Sequence, residues 1–148
     1  MGTVIDTNVL VYAHREDVAE HARAAERLRV LATSGSPLGL PWPCVYEFLR
    51  VVTHARVLLS PSRLADAWKF VTDVAEIPSV TLLSETSRHA EVLARLLDAA
   101  QPTGNLVHDA HVAALALEHG FDEVLTQDRD FRRFPGIRIV GLDGVRAG

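Results

Sequence analysis

The sequence has 148 residues, of which 48% are hydrophobic and 23% are charged, and its formal net charge is −4. These ordinary values predict a single domain over residues 1–148 that folds without a structural metal, and the only cysteine, Cys44, excludes an internal disulfide and a cysteine-based zinc site. The negative charge argues weakly against a protein that coats nucleic acid non-specifically, but it does not exclude a nuclease with a local basic face.

In the first half of the chain, strand-like and helical segments alternate. The pattern predicts strands at residues 3–5 and 38–40, and helices at residues 7–14, 17–33 and 44–54. The run from Ser34 to Pro37 is a clear break between the second helix and the second strand.

The alternation continues in the second half. Ser60 and Pro61 predict the start of a helix that runs to about residue 75, with serine as its cap and proline in its first turn. Further strands are predicted at residues 80–83, 124–126 and 137–140, and further helices at residues 84–101 and 107–119, the last one stopping at Gly120. Five short strands separated by helices predict an α/β fold with a largely parallel sheet.

No apolar run approaches the ~18 residues that cross a bilayer, and the N-terminus lacks the basic and apolar regions of a signal peptide. We therefore expect a cytoplasmic protein that does not enter a membrane.

Four acidic residues stand out by their context. Asp6 and Asp128 each follow a predicted strand, where ligands bind in open α/β sheets. Asp109 lies near the predicted start of a helix, and Glu47 interrupts an apolar helical stretch. Each has a structural alternative: an N-cap for Asp6, a dipole contact for Asp109, a solvated helix position for Glu47 and a turn for Asp128.

If the four carboxylates converge, they need a neutralising partner, because two of them ~4 Å apart repel by about 4 kcal/mol at an effective dielectric of 20. An all-oxygen cluster without cysteine suits a hard ion, Mg²⁺ or Mn²⁺. Such an ion bridges phosphates and activates water, so the cluster predicts hydrolysis of phosphodiester bonds.

These residues, in this order along the chain, resemble the PIN-domain ribonucleases, and more narrowly the VapC toxins of bacterial type II toxin–antitoxin systems. The matching segments are Ile5-Asp6-Thr7-Asn8, Glu47 after Pro41-Trp42-Pro43, His108-Asp109-Ala110, and Leu125-Thr126-Gln127-Asp128-Arg129-Asp130-Phe131. The resemblance extends from Asp6 to about Val140, with one mild departure at Gln127. It implies a PIN-like parallel sheet of about five strands with helices on both faces.

The resemblance also implies roles for single residues. Asp6 and Asp109 correspond to the main metal ligands, Glu47 to the acid that binds the metal or its water, and Asp128 to the fourth catalytic acid. The polar residues expected to hold these ligands or water are Thr7, Asn8 and Thr126, and Asp130 is a candidate for assisting the site or orienting its loop.

The implied activity is Mg²⁺-dependent hydrolysis of single-stranded or looped RNA, often tRNA or ribosomal RNA, with Mn²⁺ as the alternative ion. A cognate VapB-like antitoxin is implied as a partner that blocks the site with a basic side chain. The resemblance further implies a homodimer in the bacterial cytoplasm and a role in growth arrest.

Other residues offer weaker signals. The arginines that follow Asp128 are candidates for RNA phosphate contacts, with a solvated turn as the alternative; they are Arg129, Arg132 and Arg133. Four aromatic residues could stack on bases, although core or dimer packing is the stronger expectation; they are Tyr12, Trp42, Tyr46 and Trp68.

The histidines do not predict a metal site. His108 and His111 are three residues apart and could share a helix face, but the sequence offers no third zinc ligand at a convincing spacing. The remaining histidines are typical of helix surfaces and ends; they are His14, His21, His54, His89 and His119.

Two other functions fit the sequence less well. A haloacid-dehalogenase-like phosphatase needs a second acid two residues after the first, where this chain has Asn8, and a late lysine, whereas the only lysine is Lys69. A binding-only module, either receiver-like or a degenerate PIN domain, is disfavoured because a receiver also needs a strand-end lysine and because all four acids are present.

Overall fold

A computed structural model describes residues 2–54 and 60–147, and in them a single six-stranded sheet has the order β3-β2-β1-β4-β5-β6. The strands are β1 (Thr3–Ile5), β2 (Leu38–Pro41), β3 (Val80–Leu83), β4 (Glu123–Leu125), β5 (Arg138–Val140) and β6 (Arg146–Ala147). The first five strands are parallel, as predicted, and each predicted boundary agrees to within one residue. The two-residue strand β6, antiparallel to β5, was not predicted because it is too short to show a period.

Helices connect the strands. In the described part of the chain they are α1 (Thr7–His14), α2 (His21–Thr33), α3 (Trp42–Val52), α4 (Leu64–Ala75), α5 (His89–Ala100) and α6 (Asn105–Glu118), and a short 3₁₀ helix spans Arg129–Arg133. None of these helices has both the length and the hydropathy that a bilayer-spanning segment requires.

The predicted starts of α2, α4 and α5 are wrong. For α5, predicted from residue 84, Thr86 instead donates to the carboxylate of Glu118, and the helix begins only at His89. For α2 and α4, Arg15 provides the reason. Its guanidinium donates to the carboxylate of Asp17, so residues 16–20 form turns and α2 begins only at His21. The same guanidinium donates to the carbonyl of Ser60 at 2.6 Å. That contact fixes Ser60 before the helix, and α4 begins at Leu64. Residues that resemble helix caps, Asp17 and Ser60, thus bind Arg15 instead, one through its carboxylate and the other through its backbone carbonyl.

Helices cover both faces of the sheet. Every residue of β1, β2 and β4 is buried, as expected for strands that are packed on both sides. Ile5 and Leu38 contribute to an apolar surface together with residues of α1, α2 and α4. On the other face Gly39 lies under Phe121, which follows α6.

The side of the sheet to which successive strands are added changes between β1 and β4, while these two strands stay parallel. The connections β1–β2–β3 run to one side of β1, and the chain returns through α5 and α6 to β4 on the other side. Right-handed crossovers in opposite directions place their helices on opposite faces and leave a crevice at the carboxyl ends of the two central strands. This crevice contains the acidic residues.

Candidate active site

Asp6 and Thr126 are neighbours because β1 and β4 are paired in register. Ile5 pairs with Leu125, so the next residue of each strand emerges at the same edge of the sheet. Thr126 Oγ1 donates to Asp6 Oδ2 at 2.8 Å and accepts from the backbone N–H of Asp128 at 2.9 Å. The hydroxyl of Thr126 therefore ties the first predicted ligand to the loop that carries the fourth.

Asp6 has two roles that the sequence analysis treated as alternatives. It is the N-cap of α1, where its Oδ1 accepts from the backbone N–H of Thr7 at 2.8 Å. It is also only 4% exposed and lies in the crevice. Burial raises the pKa of its carboxyl group, and the bonds from Thr126 and Thr7 offset only part of that effect.

Asp109 is buried in the second turn of α6 and does not lie at the helix start. The helix begins at Asn105, after Gly104 with a positive φ of 59°, so the predicted start at residue 107 is late. Burial and the neighbouring carboxylates of Asp6 and Asp128 raise the pKa of Asp109 from 3.8 to about 8. The dipole explanation does not apply at this position, and the carboxyl group carries a proton at neutral pH when no cation is bound.

Glu47 enters the crevice from α3. This helix begins at Trp42, two residues earlier than predicted and directly after β2, with Pro43 in its first turn. The Oε2 of Glu47 lies 3.1 Å from His108 Nε2 on α6, which allows an ion pair when the ring is protonated. Glu47 is a further negative charge that raises the pKa of Asp109.

These acids share one cavity of about 240 Å³, here called the acidic cleft. Its walls are formed by Asp6, Thr7, Asn8, Glu47, Arg50, Asn105, His108, Asp109 and Asp128. All four acids that the sequence selected thus lie together, with residues from α1, α3, α6 and the loop after β4. The sequence analysis did not select Arg50 and Asn105; Arg50 follows Glu47 by three residues on α3, the only signal that could have found it.

Of the polar residues expected around the metal ligands, Asn8 lies in the acidic cleft and Asp130 lies outside it. Asn8 Nδ2 donates to Thr126 Oγ1 at 3.1 Å and lies in the cleft. Asp130 is exposed outside the cleft, and its backbone N–H donates to Asp128 Oδ1 at 2.9 Å, so it contributes to the shape of the loop.

The three candidate RNA-binding arginines also lie outside the walls of the cleft. Arg133 donates to the carbonyl of Ala100 at the end of α5, and Arg132 donates to the carbonyl of Arg129. All three side chains are exposed and therefore accessible to RNA. Their contact with RNA stays a prediction.

The donors in the acidic cleft fit a hydrated divalent cation. Carboxylate oxygens predominate, and one buried polar atom of the cleft, Thr7 Oγ1, has no hydrogen bond within residues 2–54 and 60–147. Cys44 Sγ lies 3.8 Å from Asp6 Oδ1, but burial and the charge of Asp6 raise the pKa of its thiol, which stays protonated. The cluster therefore favours a hard, oxygen-binding ion over a thiolate-bound one.

A second and larger cavity of about 680 Å³ adjoins the acidic cleft and shares Glu47, Arg50 and His108 with it; we call it the side groove. Its other walls are Trp42, Pro43, Tyr46, Ser84, Glu85 and His111. Tyr46 is 68% exposed, which excludes the core packing considered for it. The side groove offers aromatic and basic groups next to the acids.

Comparison with known proteins gives a consistent result. The sequence profile of the PIN domain matches residues 3–137. The chain is 41% identical over 134 residues to "VapC ribonuclease Mb2897" of Mycobacterium bovis, which covers 90% of each chain. It is 34% identical over 139 residues to "Ribonuclease VapC48" of Mycobacterium tuberculosis, which covers 94% of this chain and 96% of that one.

Solved structures share the fold at low sequence identity. VapBC2 from Rickettsia felis, bound to a DNA fragment from its promoter, superposes with a TM-score of 0.71 at 15% identity, over 95% of this chain and 98% of that one. VapC20 from Mycobacterium tuberculosis, described as a Sarcin-Ricin loop cleaving toxin, has a TM-score of 0.63 at 14% identity, over 91% and 98%.

Proposed function

This chain belongs to the PIN-domain family and, within it, to the VapC ribonucleases, and on that basis we propose that it is an Mg²⁺-dependent endoribonuclease and the toxin of a VapBC-type pair. One observation carries the proposal: Asp109 is buried where the carboxylates of three other segments converge on it, and burial together with these charges raises its pKa to about 8. That repulsion is costly in a cleft without an ion and is relieved when a divalent cation binds. PIN-domain nucleases are metal-dependent, and Mg²⁺ suits the oxygen donors of this cleft better than softer ions.

In the proposed mechanism, Asp6, Asp109 and Asp128 hold the ion through carboxylate oxygens. When bound, the ion supplies a Lewis acid and an activated water for attack on phosphorus. Thr126 keeps Asp6 in place through its 2.8 Å hydrogen bond. Glu47 lies where it can accept a proton from water, with its Oε2 close to His108 Nε2, and Arg50 offers a guanidinium to a phosphate.

The test is cleavage of total bacterial RNA by the purified protein with Mg²⁺, with EDTA and with Asp109→Asn. We expect discrete fragments that need the metal and that decrease by at least ~100-fold in the variant, because transition-state charge stabilisation is lost. Asp98→Asn, an exposed change on α5, is the matched control and should cleave like the wild type. Wild-type cleavage by Asp109→Asn would exclude this residue as a required ligand.

We propose structured RNA, such as tRNA or ribosomal RNA, as the substrate, with the side groove as the path of the strand. The rings of Trp42 and Tyr46 lie 6.1 Å apart, centroid to centroid, next to Arg50. Exposed aromatic faces can stack on unpaired bases, and a guanidinium can bind the phosphate between them. Mapping the fragment ends from the cleavage assay would identify the RNA.

The proposed protein partner is a VapB-like antitoxin in the bacterial cytoplasm. Acids in the cleft can accept a basic side chain, and an apolar groove of about 340 Å³ between α2 and α4 can accept a hydrophobic helix. Leu28 of α2 and Val74 of α4 are among its walls. An antitoxin encoded beside this chain should suppress cleavage, and Leu28→Glu should weaken that suppression without reducing cleavage by the free protein.

We also propose that the protein is a homodimer. The exposed apolar side chains of Leu64 and Trp68 on α4 and Leu82 on the edge strand β3, here called the edge patch, offer a surface for a second copy.

A further inference from the structure

A second cluster of metal-ligating side chains lies outside the acidic cleft. Glu85 follows β3, His89 begins α5 and His111 lies on α6. Each offers a ligand atom, and the three atoms lie within 4.8 Å of one another. The partners of His111 are therefore Glu85 and His89 from other elements of the fold, and not His108, its neighbour by sequence spacing.

The ring of His89 is held in a fixed orientation by Glu118. Its Nδ1 lies 2.6 Å from Glu118 Oε2, and the side chain of Glu118 is fully buried. Thr86 also donates to Glu118 Oε1, through its backbone N–H at 2.9 Å and its hydroxyl at 2.8 Å. A carboxylate that accepts from one ring nitrogen fixes the histidine tautomer and leaves the other nitrogen, Nε2, with a free lone pair for a metal.

The other two side chains are accessible to an incoming ion. His111 Nε2 lies 2.7 Å from Glu85 Oε1, with side chains 33% and 50% exposed respectively. The rings of His89 and His111 are 5.4 Å apart, centroid to centroid. Ligands bound to zinc at ~2.0–2.1 Å lie roughly 3.4 Å from one another, so the 2.7 Å pair of Glu85 and His111 must separate slightly, and no pair of ligand atoms must approach by more than about 1.4 Å. Glu85 can make that movement because it lies outside the helices and strands.

We propose that Glu85, His89 and His111 form a binding site for a transition-metal ion of the zinc type, in which Glu118 orients His89 and water completes the coordination. Two imidazoles and one carboxylate suit Zn²⁺, whereas the acidic cleft suits Mg²⁺. Because Glu85 and His111 also line the side groove, a bound ion places positive charge in its wall. The site does not depend on the proposed ribonuclease function.

The test is a calorimetric titration of the full chain with Zn²⁺ while excess Mg²⁺ occupies the acidic cleft. We expect one equivalent of Zn²⁺ to bind to the wild type, and His111→Ala to bind it at least tenfold more weakly. Glu118→Gln should lose about 10–100-fold in affinity, because it changes the partner of a ligand and not the ligand itself. His21→Gln, on α2 across the sheet, is the matched histidine control and should bind like the wild type.

A spectroscopic readout separates binding at this site from other effects. Co²⁺ in place of Zn²⁺ should give visible absorption typical of a low-coordinate histidine site, and the signal should be lost in His111→Ala. Thermal melting without zinc checks that each variant folds; if Glu118→Gln does not, Glu85→Gln replaces it, because that side chain is half-exposed.

Two results would overturn the proposal: no Zn²⁺ binding by the wild type beside excess Mg²⁺, or equal affinity in the wild type and His111→Ala. Either would mean that the cluster forms only hydrogen bonds and ion pairs. Asp6→Asn should lose RNA cleavage and still bind Zn²⁺, so failure of the nuclease function and failure of the zinc site are told apart.

Discussion

The carboxyl group of Asp109 links the stability of the protein to pH. Its pKa rises from 3.8 to about 8 in the folded chain, through burial and the charges of Asp6 and Asp128. Between these two values the folded chain keeps a proton that the unfolded chain has lost, so a rise in pH favours unfolding. This stabilising proton is fully effective below about pH 4 and is lost as the pH rises through about 8.

We therefore expect the Tm in EDTA to fall between about pH 5 and pH 9, and to fall less in Asp109→Asn, which has no carboxyl group to titrate. At neutral pH without metal, the variant should melt higher than the wild type, because unfolding of the wild type is favoured by release of the proton that folded Asp109 keeps. Each kcal/mol of this difference corresponds to roughly 2–4 °C. Millimolar Mg²⁺ should raise the Tm of the wild type and not that of the variant. An equal pH slope in both proteins would assign the dependence to another group.

Thr126 is expected to act as a positioning residue. Its hydroxyl is buried, donates to Asp6 and accepts from Asn8 Nδ2 and from the backbone N–H of Asp128, so Thr126→Val removes three hydrogen bonds. We expect about 1–3 kcal/mol of lost stability and a 10–100-fold lower rate of cleavage, with a higher Mg²⁺ concentration needed for half-maximal rate. Thr126→Ser restores the hydroxyl and should restore both properties. An unchanged Mg²⁺ requirement in Thr126→Val would reduce its role to stability alone.

At the residue scale, the sequence predicted the acids better than their partners. Asp6, Asp109 and Asp128 are recognisable because strand ends and a local motif mark them along the chain. The pairing of Glu47 with His108 and of His89 with Glu118 depends on how α3, α5 and α6 pack, and no local pattern records it. His89 was assigned to a helix surface or end and does begin α5, but its partner is a fully buried carboxylate.

At the scale of the elements, the strands follow from local composition, whereas the starts of α2, α4 and α5 do not. The apolar strands are bounded by glycine, proline and serine, which fixes their ends to within a residue. The starts of α2 and α4 depend instead on Arg15, which binds Asp17 and the carbonyl of Ser60, 45 residues away. A cap residue identifies a helix start only when nothing distant competes for it.

Gly39 in β2 leaves space for the side chains that pack closely around it, because glycine has no Cβ. A Cβ at this position would lie 2.7 Å from Leu83 Cδ1 and 3.1 Å from Val4 Cγ2, both of which are fully buried. Because these neighbours cannot move aside freely, we expect Gly39→Ala to lose about 1–3 kcal/mol in the free energy of unfolding, measured with urea.

Gly141 provides the control. A Cβ there would lie 3.1 Å from Oδ1 of Asp143, the end of an exposed side chain that is held by one hydrogen bond from the backbone N–H of Val145 and needs to shift by only a few tenths of an ångström. Gly141→Ala should therefore cost less than Gly39→Ala. Equal losses of unfolding free energy in the two variants would show that the side chains around Gly39 move aside more easily than their burial indicates.

At the scale of the whole molecule, the two edges of the sheet differ. The short strand β6 covers β5 at one edge, whereas β3 forms the other edge among the described strands. Exposed strand edges with apolar side chains are places where a second chain can pair. Trp68 and Leu82 line a common surface cavity at this edge, and Leu64 lies one turn before Trp68 on α4.

The edge patch should therefore determine the oligomeric state. Trp68 is 48% exposed, and a charge in its place would have to be desolvated in a dimer, so we expect Trp68→Glu to be a monomer where the wild type is a dimer in light scattering. Val145, 63% exposed just before β6 at the opposite edge, is the matched control, and Val145→Glu should remain a dimer. A monomeric wild type would contradict the homodimer itself, and a dimeric Trp68→Glu would move its interface away from β3.

Trp42 lines both the cavity at this edge and the side groove. Loss of the dimer should therefore change which RNA is cleaved more than it changes the chemistry in the acidic cleft.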